Sequence, residues 1–368
     1  MARSIDERLK ALKDRRSGID RINVVDTASV SDLVQKSSQA ELWETRQHGK
    51  KHTRYALGSM QAVGSEYTEI TVETAKRVGR QLESKLSAAV SFRLQGSVPL
   101  NVHVRGVSDV DLLVLHSWYL IYNRFGSRAN DYTPSDRTSL DVLMQLRKDS
   151  EDCLKTSYPA AKVDCDGGKA ITLTGGSLPR PVDVVPSHWY DTLEYQSSMA
   201  DHDRAVVILN KKVPETIQNW PFLHMHNINI ADNATFGGLK KAIRLVKNIR
   251  NDSDGLLASG LPSFDIAALM FHADRGALAS TRYFELAPLA EARRFLDWCH
   301  HNKAQAQQLM TPDRSRPVLN TKAKLDAVTS LSVDLDALAK AVAQEQNALV
   351  SELDWPSMYR TLSEAVLP

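Results

Sequence analysis

Between Tyr67 and Leu86 the apolar residues Ala75, Val78, Leu82 and Leu86 recur at spacings of three and four, the period of an amphipathic helix. The pattern then changes. Phe92-Arg-Leu-Gln-Gly-Ser97 reads as a turn region, and Val107-Ser-Asp-Val-Asp-Leu-Leu-Val-Leu115, dense in valine and leucine, reads as a buried strand. Helical spacing returns over Thr138 to Lys155, with Leu140, Leu143, Met144, Leu146 and Leu154 apolar. Three short strands are predicted at Ala160–Asp164, Ala170–Thr174 and Pro181–Val185, separated by Asp166-Gly-Gly168 and Gly175-Gly-Ser177; Asp164–Gly168 is a hairpin turn rather than a calcium loop, since no later glutamate follows at the required spacing. Beyond about residue 210 the strand signals stop. Leu239–Ile249, Phe264–Ala273, Phe284–Gln308 and Leu335–Leu353 all have helical spacing, with Pro214, Pro221 and Pro262 between or before them. The expected division is a mixed α/β module over 1–210 and a helical module over 211–368, with no internal repeat and no low-complexity tract.

Composition narrows the class without naming a chemistry. In 368 residues, 42% hydrophobic content is enough for a core, and no apolar run approaches the ~20 residues of a membrane span. The charged first ten residues do not read as a secretion signal. The three cysteines, Cys153, Cys165 and Cys299, are too few and too scattered for a disulfide framework, so a cytoplasmic location is expected. With 46 Lys+Arg against 44 Asp+Glu the net charge is +2, so attraction to phosphate must come from local clusters. One is Arg46-Gln-His-Gly-Lys-Lys-His-Thr-Arg54, which reads as a solvated loop or a phosphate-binding loop. Cys299-His-His301 and His224-Met-His226 lack the second ligand pair of a zinc site.

The chemistry concentrates in three segments: Gly96-Ser97, Asp109-Val-Asp111 and Val182-Asp-Val-Val-Pro186. In a strand, residues i and i+2 share a face, so Asp109 and Asp111 are expected side by side while Val110 and Leu112 enter the core. Carboxylates so close repel, and a hard divalent cation relieves the repulsion. Asp183 lies in an apolar strand, where a bare carboxylate is costly unless paired or liganded. If the two strands are neighbours, three carboxylates converge, and three can hold two metals in line for phosphoryl transfer. Gly96-Ser97 adds a turn whose backbone N–H groups and hydroxyl suit an anion. Trp189 and Tyr190, just beyond, line a nucleotide pocket or fill a seam.

On these residues the sequence resembles the polymerase-β-like nucleotidyltransferases, which carry Gly-Ser, about ten residues, then Asp-x-Asp. Leu94–Leu115 with Val182–Ser187 is similar to the CD-NTases, bacterial relatives of cyclic GMP-AMP synthase and oligoadenylate synthetase that make cyclic oligonucleotide signals in anti-phage defence. The resemblance, spanning roughly 55–280, implies an α+β fold: a polymerase-β-like palm with a mixed sheet, plus a helical C-terminal domain forming a bilobed cleft. It assigns Asp109, Asp111 and Asp183 to catalysis and metal binding and Gly96 and Ser97 to the triphosphate, and since no carboxylate is missing it implies an active enzyme. In the helical half, Lys240, Arg244 and Lys247 fall on one face as a solvated or phosphate-facing basic surface. By the same resemblance Lys247 and Ser263 contact the triphosphate, Ser263 capping its helix, and Phe264 stands where the family more usually has a tyrosine that stacks on a base; a phenylalanine there either stacks without donating a hydrogen bond or is plain core.

The implied reaction joins nucleoside triphosphates, ATP with GTP or a pyrimidine triphosphate, in the presence of Mg²⁺ or Mn²⁺. It releases pyrophosphate and closes a ring that signals to a downstream effector, with a phage-derived activator and no membrane partner. Two other readings stay open: a linear nucleotidyltransferase acting on RNA, protein or a small molecule, and a nucleotide- or RNA-sensing binding module. Near-neutral charge favours free nucleotides over a long nucleic acid.

Overall fold

Valine and leucine fill both faces of Val110–Leu115, so this segment is stable only as an inner strand covered on both sides. A computed structural model places it there, describing residues 3–17, 41–47, 49–253, 257–350 and 354–367. In chain order the first elements are α1 (Ile5–Ser17), α2 (Leu42–Thr45), α3 (Lys51–Met60), α4 (Ser65–Lys85), β1 (Val90–Gln95), β2 (Val110–Tyr122), α5 (Ser139–Ser157), β3 (Lys162–Asp164), β4 (Ile171–Thr174), β5 (Val182–Asp191), α6 (Leu193–Ser198), β6 (Ala205–Asn210) and β7 (Glu215–Asn219). Helices follow: α7 (Pro221–Ala234), α8 (Gly238–Asp252), α9 (Ser263–Met270), α10 (Arg275–Ala279), α11 (Ala287–His301), α12 (Lys303–Ala306), α13 (Lys322–Gln346) and α14 (Trp355–Ser363). None of the described helices is long and apolar enough to cross a membrane.

The chain divides into two units, 64–100 with 108–226, and 1–63 with 101–107 and 227–368. The boundary near 210 is therefore displaced, and α1, α2 and α3 group with the C-terminal helices. Strand signals also persist past residue 210, since Glu215–Asn219 pairs with β6. The turn expected at Phe92–Ser97 is instead strand β1 as far as Gln95; Val90, Phe92 and Leu94 alternate onto the core, a period of two that the sequence carries.

In the sheet unit the strand order is β1-β2-β5-β4-β3, with β6 on β5 and β7 on β6. β2 and β5 run parallel; the other pairs are antiparallel. A parallel pair needs a long crossover, which α5 and the β3–β4 hairpin supply. The Thr138 hydroxyl starts α5 by accepting from the Asp141 N–H at 3.2 Å. On one sheet face Val110, Leu112, Val114, Val182 and Val184 meet Ala75, Val78 and Leu82 of α4, the predicted stripe. Burying Val78 and Leu82 contributes about 1.5–3 kcal/mol each. Leu113, Leu115, Val185, Val206 and Ile208 pack on the other face, with Trp189 beside them and its ring tilted against Phe222 at 5.5 Å between centroids.

In the helical unit, long-range polar contacts join segments far apart in sequence. The last-turn carbonyls of α3 have no partner within the helix. Arg244 Nε donates to Met60 O at 2.7 Å, Asn248 to Ser59 O at 3.0 Å, and Arg16 to the carbonyls of Gln61 and Ala62. Cations at a helix C-terminus also suit its dipole. At the other end of α3, Glu345 from α13 accepts the backbone N–H groups of His52 and Thr53 at 2.9 and 2.7 Å, along with their side chains. Within the basic run 46–54, Arg46 pairs with Glu285 and Lys51 with Asp6, Lys50 donates to the Gln346 amide oxygen and Arg54 to the Glu44 carbonyl, while His48 lies outside the described residues.

Burial pushes the Glu345 carboxyl up, but the His52 and Thr53 hydrogen bonds outweigh it and hold it at about 2. A depressed carboxyl stabilises the fold fully above its ordinary value of 4.5, and that contribution is lost as pH falls from there through 2. Glu345→Gln is expected to lower Tm at pH 7 by roughly 2–8 °C, a loss of about 1–2 kcal/mol. The same substitution flattens the fall of Tm between pH 4.5 and 2, read by circular dichroism melts across that range.

Candidate active site

The parallel pairing of β2 with β5 sets Asp111 directly opposite Asp183, and the antiparallel pairing with β1 sets it opposite Gln95. Neighbours in register share a face, so the two carboxylates stand side by side at one end of the sheet, with Leu113 and Val185 next along the same face. Both are half-buried. Asp109 lies one residue before β2 rather than within it, also half-buried, so its placement is set by the loop leading into the strand.

Asp183 has a further neighbour that the sequence reading did not single out. Thr172 on β4 is its register partner on the other side, and the threonine hydroxyl donates to Asp183 Oδ1 at 2.6 Å. A threonine in a short strand is ordinary, and only the register marks this one.

Gly96 closes β1 with φ +83°, a left-handed conformation that side chains rarely adopt. A Cβ at this position would fall on Asp111 Oδ2, far inside van der Waals contact. Glycine therefore turns the chain and makes room for the carboxylate, and Ser97 follows it out of the strand. Gly96→Ala is expected to displace Asp111 and to cost about 1–3 kcal/mol in backbone strain. If this is the reacting centre, turnover should fall by roughly 10²-fold, measured as product formed per enzyme, with Tm read in parallel to separate displacement from unfolding.

The donor chemistry suits a hard cation, since carboxylate oxygens dominate. Among the described residues no group of three or more His, Cys, Asp or Glu side chains is placed to hold a metal ion. The aspartate pair is what the sheet itself builds, and Mg²⁺ typically takes one or two carboxylates together with substrate phosphates. Such a pair offers carboxylate oxygens to one hard cation, with the rest of its coordination left to water or ligand oxygens.

Lys247, Ser263 and Phe264 belong to the helical unit. Lys247 is 2% exposed, and its ammonium donates to Val102 O at 2.8 Å; Arg244 is buried likewise, donating to Asn101 O as well as Met60 O. Burial brings the Arg244 guanidinium down to about 10, and the same surroundings, with Lys247, Arg244 and Arg16 nearby, bring His103 down to about 4 and leave it neutral at pH 7. Lys240, at the outer end of the row, reaches Asn229 at 2.7 Å. The expected basic face is thus mainly an internal set of backbone clamps. Ser263 does not cap its helix: Pro262 holds the cap position, Ser263 is the first helical residue, and its side chain makes no capping bond. Phe264 is 38% exposed, with the Arg316 guanidinium 5.5 Å from its ring centre.

The three cysteines are free, and burial pushes the Cys299 thiol up to about 12, which makes it inert. His300 faces Thr329 and His301 faces Asp297.

The chain is similar to known proteins over most of its length. Residues 226–338 match the cGAS/DncV-like nucleotidyltransferase C-terminal helical domain. The chain is 42% identical over 323 residues to the cyclic dinucleotide synthase CdnE of Yersinia aleksiciae, covering 84% of this chain and 85% of that one. It is 30% identical over 280 residues to a c-di-GMP synthase of a Lachnospiraceae bacterium, covering 70% and 79%. Among solved structures, the STING-associated CdnE c-di-GMP synthase from Flavobacteriaceae sp. superposes with a TM-score of 0.73 at 22% identity, over 94% of this chain and 99% of that one. With an α+β fold of mixed sheet and helical C-terminal domain, and with relatives of this identity over most of its length, the chain belongs to the CD-NTases, the cGAS/DncV-like nucleotidyltransferases, and is an enzyme of that family.

Proposed function

We propose that the protein joins two nucleoside triphosphates into a cyclic dinucleotide, releasing pyrophosphate at each transfer. The observation that carries this reading is the in-register pair Asp111 and Asp183, with Gly96-Ser97 turning out of the adjacent strand against Asp111. Asp109, Asp111 and Asp183 present the carboxylates, and Ser97 with the backbone of the Gly96 turn grips the triphosphate of the donor. Magnesium, when bound with substrate, would neutralise phosphate charge and lower the pKa of the attacking hydroxyl. The 2′ or 3′ oxygen of the acceptor forms a bond to the donor α-phosphorus while the bond from that phosphorus to pyrophosphate breaks and the hydroxyl proton is released. The linear product is then turned end for end, and the second transfer closes the ring. The chain's contribution is positioning and charge placement, because no covalent group of the protein takes part.

Ring size follows the name of the 42% identical relative, a cyclic dinucleotide synthase, and guanosine is the first base to try because another relative is named a c-di-GMP synthase. A role in anti-phage signalling through a nucleotide-activated effector rests on membership of the family. To test the reaction, purified protein is incubated with the four labelled triphosphates and Mg²⁺ or Mn²⁺, and the products are treated with phosphatase. Phosphatase-resistant label of dinucleotide mass is expected. Label that is wholly phosphatase-sensitive, or attached to a macromolecule, replaces the cyclase reading with a linear transferase.

A further inference from the structure

We propose that Thr172 is a positioning residue for the reaction, fixing the Asp183 carboxylate in the one orientation that leaves its second oxygen for the cation; this rests on the assignment of Asp183 above. A strand aspartate has a freely turning terminal torsion, and at a half-buried sheet end its two oxygens are equivalent until something distinguishes them. Thr172 distinguishes them. Its hydroxyl hydrogen has a carboxylate oxygen as partner, so the hydroxyl is the donor, and the 2.6 Å bond to Oδ1 leaves Oδ2 without that restraint. Threonine suits the task because a β-branched side chain on a strand has few rotamers. Register completes the geometry: β4 and β2 flank β5, placing Thr172 and Asp111 on opposite sides of Asp183, so the hydroxyl holds the carboxylate from the side away from its partner. A restraint of this kind, bonded to a ligand rather than to the metal, typically accounts for 10–100-fold in metal affinity or activity.

Thr172→Val keeps the shape and removes the donor, and Thr172→Ser keeps the donor. With Mn²⁺ and non-hydrolysable ATP and GTP analogues, electron paramagnetic resonance titration is expected to show Mn²⁺ binding weakened roughly tenfold or more in Thr172→Val and restored within about threefold in Thr172→Ser. In turnover assays kcat should fall roughly 10–100-fold for the valine variant, with KM for the triphosphates changed less than about threefold. Wild-type Mn²⁺ binding and kcat in Thr172→Val overturn the inference, as does a serine variant as impaired as the valine one. Asp183→Asn separates this from failure of the underlying assignment: if it turns over normally, the role of Asp183 falls and that of Thr172 with it. If Asp183→Asn is inactive while Thr172→Val is normal, the inference about Thr172 alone falls.

Discussion

Asp111→Asn abolishes nucleotide joining, lowering kcat by roughly 10³-fold or more, while Tm stays level or rises by a degree or two. The two halves of this expectation have one cause. Asp111 and Asp183 are direct neighbours across a parallel pair, and like charges so placed repel. The fold tolerates that repulsion because the valines and leucines around the pair are fully buried and over-determine the register. Asparagine has the same shape, so it keeps the packing and relieves the repulsion, but it withdraws the negative charge that, in the proposed reaction, would hold a divalent cation beside the triphosphate. Activity and stability should therefore move independently, as they do where a site stores strain for function. The check is a pair of measurements on one preparation, cyclic product per enzyme and a thermal melt. Activity above about a tenth of wild type would remove Asp111 from the metal and phosphate chemistry. A Tm lowered by more than about 5 °C would instead make it a structural residue.

Much of this site is legible in the chain because the rules that expose it are local. Period two aligns Asp111 with the sheet face, apolar flanks mark Asp183 as a carboxylate with a reason to be buried, and a glycine beside a serine marks the turn. The same rules misplace Asp109 by one residue, since a strand's first residue depends on where pairing begins. They pass over Thr172, because nothing local says which residue of β4 will stand opposite residue 183. Lys240, Arg244 and Lys247 show the complementary failure. Helical spacing correctly puts them on a common side, yet spacing cannot say whether that side meets water, phosphate or orphan carbonyls. For Arg244 and Lys247 it meets the carbonyls of Met60, Asn101 and Val102, more than 140 residues away in sequence.

Distance along the chain is also why the grouping of the N-terminal helix with the C-terminal ones was illegible, and the contact that secures it has the largest expected effect on stability. Asp252, at the end of α8 and fully buried, receives both Arg15 terminal nitrogens at 2.6 and 2.8 Å and the Tyr55 hydroxyl at 2.7 Å, with Arg3 at 3.6 Å. Burial first, and then the neighbouring Asp252 charge, push the Tyr55 phenol well above its ordinary value, so it stays a donor at any physiological pH. Asp252→Asn removes the carboxylate that both Arg15 terminal nitrogens bond and leaves a guanidinium in a nearly closed site. The expected loss is about 3–5 kcal/mol, which corresponds to a Tm lower by roughly 6–20 °C. Were the cluster simply adhesive, removing all of it would be worse still. Desolvation argues the reverse: Arg15→Met/Tyr55→Phe/Asp252→Leu, which takes away charges and hydroxyl together, is expected to recover most of the stability lost in Asp252→Asn, because no charge or donor remains buried without its partner. Denaturant melts of the wild type, the single variant and the triple variant decide the matter. A triple variant less stable than Asp252→Asn would mean that the ion pair contributes net attraction beyond its own desolvation.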